Sequence, residues 1–305
     1  MHRKTGIFLA GLVIATGLAI NAKTPIGKES DWANTIAATV FKGNLYTVEK
    51  GGELYMTIPS SGAWKQIGKP DFANTLFLLS LQDKLMSIEK DGSIFLIEPA
   101  DGAWRQSGKT GDWVGTIAAA VLNGRLYTVE QSGTLYVTTP SDGIWKKIGA
   151  TDFANTLILF ALKDKLVSIE KDGSIYLINP MDGSWRRSGK AGELNETAAG
   201  AICGATLYTV STDGTLSATD PETGTRRTVN TDYSGTTFLL PVGQELYAIS
   251  DSGNLSLGSP ADPAKSAPAP GQAKQEETNP ALAGQLTFKF MGQWKGDPAE
   301  LEKDP

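Results

Sequence analysis

A short motif recurs six times along this chain and constrains its fold more than any other feature. The motif reads LYTVE or a close variant, and its copies begin at Leu45, Leu85, Leu126, Leu166, Leu207 and Leu246. Successive copies are therefore 40, 41, 40, 41 and 39 residues apart. Six units at a period near 40 residues are typical of a β-propeller or a solenoid.

Each unit has the pattern of a small antiparallel sheet. In the second unit, the apolar run TLFLLSL (Thr75–Leu81) precedes the LMSIE motif, a KDGS turn, the segment IFLIE and a short strand around Trp104. Asp-Gly pairs favour tight hairpins because glycine tolerates positive φ, and no helical period of 3.6 residues appears. We therefore predict an all-β fold, a six-bladed β-propeller of four-stranded blades over residues 23–260.

The first strand of each unit alternates between small and large side chains along the chain. Units one, three and five carry the small pairs Ala37 and Ala38, Ala118 and Ala119, Ala198 and Ala199. Units two, four and six carry the large pairs Phe77 and Leu78, Ile158 and Leu159, Phe238 and Leu239. The pattern predicts three two-blade units around a centre that side chains mostly fill.

The two ends of the chain lack the sequence pattern of the repeats. A short basic start and the apolar run Gly6–Ile20 predict a signal peptide over residues 1–22, and hence a periplasmic or secreted protein. An uncleaved membrane anchor is the alternative. Residues 261–281 are rich in Pro and Ala and predict a disordered linker. Residues 282–305 form a tail with one predicted β-strand.

The sixth unit lacks a fourth strand, so another segment must close the ring. Residues Ile26, Gly27 and Lys28 near the N-terminus match Ile67–Lys69 of the first unit, which follow its fourth strand. The tail segment QLTFKFMGQW (Gln285–Trp294) is the competing candidate. We favour closure by the N-terminal segment.

Composition excludes several classes of function. The formal net charge is -5 and no basic run appears, so we expect no nucleic-acid partner. Without residues 1–22 the chain has no histidine, and Cys203 is its only cysteine. A Ser-His-Asp triad, a Cys-His pair, a His-based metal site and an internal disulfide are then all absent. We predict a monomeric non-enzyme with no cofactor, no metal and no membrane span after cleavage.

An acid-aromatic segment, DFANT or a variant, precedes each first strand. In the structural interpretation its acid fixes the loop by a bond to the backbone two residues on, its aromatic residue wedges between blades and its threonine starts the strand. In the functional interpretation the acids form a collar on one face that binds a cation, a basic partner or sugar hydroxyls. The collar would comprise Asp31, Asp71, Asp112, Asp152, Glu193 and Asp232, with Asn34, Asn74, Asn155 and Glu196 further in.

Four tryptophans begin the fourth strands of units one to four: Trp64, Trp104, Trp145 and Trp185. We predict that they pack against the neighbouring blade. The alternative is that their rings stack on bound sugars.

The segment GELYMTIPSSGAWKQIG (Gly52–Gly68) resembles the repeat of tectonin and tachylectin-type propellers. More loosely, DGSIYLINPMDGSW (Asp172–Trp185) resembles the PQQ-type repeat. The first resemblance implies carbohydrate binding or surface recognition, and the second implies a scaffold for protein assembly.

Three functions compete on this basis. We favour an exported, non-catalytic protein-interaction scaffold that uses one face of the propeller. A carbohydrate-binding lectin is the alternative. A metal-dependent, lactonase-like hydrolase is less favoured, because bulky residues such as Phe77 and Phe160 would obstruct the open centre that it needs.

Overall fold

The computed structural model describes residues 23–258 and 288–289. The predictions for residues 1–22, for the linker 261–281 and for most of the tail 282–305 lie outside these residues. Within the described ranges the chain forms 25 strands, and no helix there is long and apolar enough to cross a membrane.

The chain forms the predicted six-bladed β-propeller, in which each blade is a sheet of four antiparallel strands. Blade one contains β2 (Thr35–Phe41), β3 (Asn44–Glu49), β4 (Leu54–Thr57) and β5 (Trp64–Ile67). Blade two contains β6 (Thr75–Leu81), β7 (Lys84–Glu89), β8 (Ile94–Ile97) and β9 (Trp104–Ser107). Blade three contains β10 (Thr116–Leu122), β11 (Arg125–Glu130), β12 (Leu135–Thr139) and β13 (Ile144–Ile148).

The second half of the ring repeats this arrangement, and its last blade uses the first strand of the chain. Blade four contains β14 (Thr156–Leu162), β15 (Lys165–Glu170), β16 (Ile175–Ile178) and β17 (Trp185–Ser188). Blade five contains β18 (Thr197–Cys203), β19 (Thr206–Ser211), β20 (Leu216–Thr219) and β21 (Arg226–Asn230). Blade six contains β22 (Thr236–Val242), β23 (Glu245–Ser250), β24 (Leu255–Gly258) and β1 (Thr24–Ile26).

The position of a strand in its blade follows from its side chains. The first strand of each blade lies innermost and is largely buried, because it is apolar on both faces and adjacent blades cover them. The fourth strand lies at the outer edge, where only its last residue is buried in blades one to four, as for Ile67 in β5. The exposed lysines and arginines of these edges discourage pairing with another sheet.

The N-terminal strand closes the ring, as favoured from the sequence. Strand β1 pairs antiparallel with β24, with Thr24 opposite Leu257 and Ile26 opposite Leu255. Pro25 lies within β1 and has no N–H to donate, which an outer edge strand tolerates. No disulfide contributes to this closure among the described residues, since Cys203 is a free thiol.

The blades associate in pairs, which agrees with the predicted two-blade units. The inner strands approach each other closely in blades one and two, three and four, and five and six, and lie farther apart between these pairs. Ala37 packs in one cluster with Leu78 of the next blade, and Ala199 does so with Leu239. The small side chain of the odd blade thus makes room for the large one that follows.

The sequence predicts a centre that side chains mostly fill, and the structure also places a short strand there. A two-residue strand, β25 (Phe288–Lys289), pairs antiparallel with the innermost strand β18 of blade five. It also lies beside β2 and β22, and therefore at the axis. The wider spacing between two-blade units leaves room there for a segment of backbone.

Aromatic wedges join adjacent blades, as predicted. Phe72 is fully buried and packs in one cluster with Leu54 of blade one and Leu85 of blade two. Trp32 takes the same position between blades six and one, in contact with the cluster that includes Leu255. The residue at this position, aromatic in five loops and Leu194 in the loop of blade five, thus contributes to the interface through which one blade packs on the next.

Substitutions at two glycines distinguish the effect of wedge packing on stability from the effect of backbone strain. Gly27 has φ +69°, and a Cβ there would lie 2.6 Å from Cη2 of Trp32. Gly43 has φ +77° and no atom within 4 Å of such a Cβ. We expect G43A to lower the free energy of unfolding by about 1 kcal/mol, the cost of a left-handed backbone. We expect G27A to lower it by about 3 kcal/mol, because Trp32 must also shift.

Urea denaturation followed by tryptophan fluorescence measures both variants. Equal losses in G27A and G43A would contradict the assignment of Trp32 as a wedge that stabilises the closed ring.

Candidate functional site

We call the position between the loop that precedes the inner strand of a blade and the two outer strands of that blade the blade groove. In blade one this blade groove is a cavity of about 380 Å³. Its lining combines loop residues, the second-strand residues Thr47 and Glu49, the hairpin residue Glu53, and the rings of Tyr55 and Trp64. The loop residues are Asp31, Trp32 and Asn34.

Equivalent cavities are open in blades five and six. The groove of blade six encloses about 380 Å³ and includes Asp232 and Lys23. That of blade five encloses about 170 Å³ and includes Glu193, Glu196 and Arg226. Blades one, five and six thus each have a cavity at the same position of the repeat, and its lining differs among them.

The base of the groove in blades one to four is a glutamate, which is buried in blades one, two and four and half-buried in blade three. It is the last residue of the LYTVE motif, and the threonine that starts the inner strand donates a hydrogen bond to it. The four bonds join Thr35 to Glu49 (2.8 Å), Thr75 to Glu89 (2.9 Å), Thr116 to Glu130 (2.8 Å) and Thr156 to Glu170 (3.0 Å). A register shift after each threonine places it opposite the glutamate.

Burial changes the titration of these glutamates. Desolvation raises the pKa of Glu89 and of Glu170 to about 7, against the opposing effect of their hydroxyl donors. It also raises the pKa of Glu49 and Glu130. The glutamates at the base of these four grooves therefore lose their protons at a higher pH than an ordinary glutamate does.

Blades five and six lack this glutamate. Ser211 and Ser250 take its place opposite the first residue of the inner strand. Thr197 instead donates to the carbonyl of Leu194 at 2.8 Å. The corresponding hydroxyl of blade six, on Thr236, also bonds its own loop, so both blades keep the turn without the buried carboxyl.

Aromatic pairs form the outer wall of the grooves in blades one to four. Each tryptophan contacts the aromatic residue of the third strand in its own blade, with ring centroids 4.3–5.1 Å apart. The pairs are Tyr55 with Trp64, Phe95 with Trp104, Tyr136 with Trp145, and Tyr176 with Trp185. The four tryptophans remain 43–50% exposed. The prediction that they pack against the neighbouring blade is therefore wrong, because the third strand of their own blade offers the closer ring.

The grooves of odd and even blades differ in how the loop acid is held. In blades two and four, the indole N–H of Trp104 donates to Asp71, and that of Trp185 to Asp152, both at 3.0 Å. In blades one and three, the carboxylates of Asp31 and Asp112 instead accept from the backbone N–H of the lysine three residues earlier. The loop before the acid is one residue longer in the odd blades, which turns the carboxylate towards its own loop. The bond to the backbone two residues on, expected from the sequence, is not the one that forms.

Basic side chains replace the tryptophan in blades five and six. Arg226 donates to the backbone carbonyl of Glu193 and to the hydroxyl of Ser217. The ammonium of Lys23 lies 4.8 Å from the ring centroid of Tyr233. Burial lowers the pKa of Lys23, and the nearby carboxylate of Asp232 opposes that shift. Two of the six grooves thus already hold a cation supplied by the chain.

The structure distributes the predicted collar among these separate grooves. Asp31 and Asn34 line the groove of blade one, Glu193 and Glu196 that of blade five, and Asp232 that of blade six. The remaining members, Asp71, Asp112, Asp152, Asn74 and Asn155, are exposed in the loops of blades two to four. Over the described residues, no three Asp, Glu, His or Cys side chains are grouped so that they could hold a metal ion.

Sequence reasoning missed the glutamates at the base of the grooves, Glu49, Glu89, Glu130 and Glu170. Their signal was present, since the motif ends in glutamate in four units and in serine in the other two. A charged residue at the same place in four apolar strands indicates a buried carboxyl with a dedicated partner.

The raised pKa values predict a pH-dependent stability. A carboxyl whose pKa is higher in the folded state contributes most below the unfolded pKa of 4.5, and that contribution is lost as pH rises through about 7. Replacing Glu89 by Gln removes the titration. We expect E89Q to become more stable relative to the original chain between pH 5 and pH 8, by on the order of 3 kcal/mol.

Urea denaturation at pH 5, 6.5 and 8 measures this difference. E29Q is the matched control, because it makes the same substitution at an exposed glutamate. A pH-independent difference between E89Q and the original chain would show that Glu89 titrates as an exposed glutamate does.

Comparison with known proteins supports the fold. No protein-family model and no curated protein matches this chain. Among solved structures, YCF48 bound to a D1 peptide is 15% identical with a TM-score of 0.54, and the match covers 77% of this chain and 79% of that one.

Two further matches are weaker. BamB from Moraxella catarrhalis is 16% identical, with a TM-score of 0.45 over 74% of this chain and 83% of that one. The computationally designed Ika8 protein is 17% identical, with a TM-score of 0.48 over 74% and 70%. These comparisons do not confirm the tectonin or tachylectin resemblance. At 15% identity, the match to YCF48 shows similarity of fold alone.

Proposed function

We propose that this chain is an exported, non-catalytic binding module that recognises a protein partner through its blade grooves. The observation that carries the proposal is the set of half-exposed tryptophans Trp64, Trp104, Trp145 and Trp185, each held against an aromatic neighbour beside an acidic loop. Tryptophan and tyrosine are enriched in the energetic centres of protein interfaces. Their rigid pairing here reduces the entropy lost when a partner binds.

Charge indicates the kind of partner segment that the grooves accept. The groove of blade one combines the carboxylates of Asp31, Glu49 and Glu53 with the ring of Trp64. A lysine or arginine side chain is attracted both to carboxylates and to an indole face. Arg226 and Lys23 occupy this position in blades five and six. The partner therefore presents basic side chains to the grooves where the chain itself supplies none.

The export part of the proposal rests on the basic and apolar pattern of residues 1–22. The protein-binding part is supported by YCF48, a propeller of similar fold whose structure contains a bound D1 peptide. The position of β25 at the axis supports a non-catalytic role, because a lactonase-like site would need that space to be open.

A peptide array tests the proposal directly. The labelled chain, residues 23–305, is applied to peptides rich in lysine or arginine and to matched peptides with glutamine at those positions. We expect binding to the basic peptides only, and weaker binding at high salt because the charges are screened. Replacing all four tryptophans by alanine should weaken it at least about tenfold, as expected for interface hot spots.

The matched control is the double variant V114A/M181A. Val114 and Met181 are exposed apolar side chains outside the tryptophan positions, so their loss should leave peptide binding unchanged. Equal binding by the four-tryptophan variant and by the control would contradict the proposal that the grooves recognise the partner.

A lectin is the second candidate, favoured by the same groove of blade one, where Asn34 and Asp31 lie beside an exposed ring. A glycan array with the same labelled chain separates the two functions. The lectin function would be favoured if the chain binds one sugar class, if free sugar inhibits this binding, and if the four-tryptophan variant no longer binds. The ligand would then be a carbohydrate and not a protein.

A further inference from the structure

The innermost strand of blade five is bonded on both edges. Strand β18 pairs with β19 on its outer side and with β25 on its axial side, whereas β10, the inner strand of blade three, pairs only with β11 among the strands of residues 23–258 and 288–289. At the axial edge Ala199 lies opposite Lys289 and Gly200 opposite Phe288. Adjacent residues of a strand point their N–H and C=O groups to opposite sides. One of Ala199 and Gly200 therefore presents both groups to β25.

The propeller is complete without this extra strand. Strand β1 already supplies the fourth strand of blade six, so all six blades have four strands when β25 is left out. Strand β25 also skips blade six, which directly precedes it in the chain, and pairs with blade five. It is therefore an addition to a closed ring.

The axial edge of β18 is accessible to another strand because the side chains of β18 are small and the inner strands β22 and β2 lie apart. Ala198, Ala199 and Ala201 keep the side chains of this strand small. Gly200 has no side chain, and a Cβ there would lie 2.9 Å from the ring of Phe160. Strand β25 lies where blades five, six and one meet, beside β22 and β2, whose separation is wider than that within a two-blade unit.

We propose that the axial edge of β18 is a binding site for an extended β-strand, and that the chain's own strand β25 is its docked occupant. An unpaired strand edge is a template for strand addition, in which backbone hydrogen bonds supply the affinity. This site is separate from the blade grooves and does not depend on the function proposed for them.

Hydrogen exchange of the full chain, resolved to single amides, tests the proposal. The variant F288P/K289P removes both N–H donors of β25. We expect the axial amide of the pair Ala199 and Gly200 to exchange at least tenfold faster in this variant. Ala119 and Ala120 of β10 are the internal control, since β10 has no axial partner in the described part of the chain, and their exchange should not change.

A synthetic peptide of residues 285–294, added to the proline variant, completes the test. We expect it to restore slow exchange at β18 in a saturable manner and to leave β10 unaffected. Identical exchange at β18 in the original chain and the variant would show that β25 does not occupy the edge. Faster exchange in β10 as well would show that β25 is part of the folding core and not a docked segment, and it would overturn the proposal. Failure of the peptide to restore slow exchange at β18 would also overturn the proposal.

Discussion

Closure of the ring by the pairing of β1 with β24 is the constraint on which the rest of this structure depends. A blade buries both of its faces only if a neighbour stands on each side, and an open arc would leave the outer faces of two blades in water. Residues Thr24–Ile26 prevent this by completing the sheet of the last blade with the first strand of the chain. With a free Cys203 and no disulfide in the described residues, these backbone bonds and the wedge of Trp32 hold the two ends of the propeller together.

The two-blade unit determines where the ring is tight and where it has space. Alanines on the inner strand of an odd blade let the larger residues of the following even blade approach closely, as Ala37 does for Leu78. Between units the inner strands lie farther apart, and β25 is found beside one of these wider junctions. The same alternation appears in the grooves. The loop of an odd blade is one residue longer, so Asp31 bonds its own backbone, whereas Asp71 accepts from an indole.

The grooves combine three elements that a binding surface needs. The aromatic pairs supply area at little entropic cost, the loop acids supply charge, and the buried glutamates fix the turn by accepting from the first threonine of the inner strand. Blades five and six keep a loop acid but differ from the others in the two remaining elements, since serine replaces the glutamate and a basic residue replaces the tryptophan. The ring is thus divided into four grooves with exposed tryptophans and two that the chain's own cations occupy.

The repeat pattern was enough to predict the number of blades, their four strands, the aromatic wedges and the N-terminal closure. Each of these follows from a local pattern that repeats, and a period of 40 residues with glycine turns admits few folds. It also located the loop acids and the tryptophans, although not their contacts. Tertiary structure decided that the tryptophans pair with the third strand of their own blade, that Glu89 and Glu170 are buried beneath the grooves, and that Phe288–Lys289 joins blade five. These features depend on which residues meet across strands and across the axis, and no local periodicity encodes such distances.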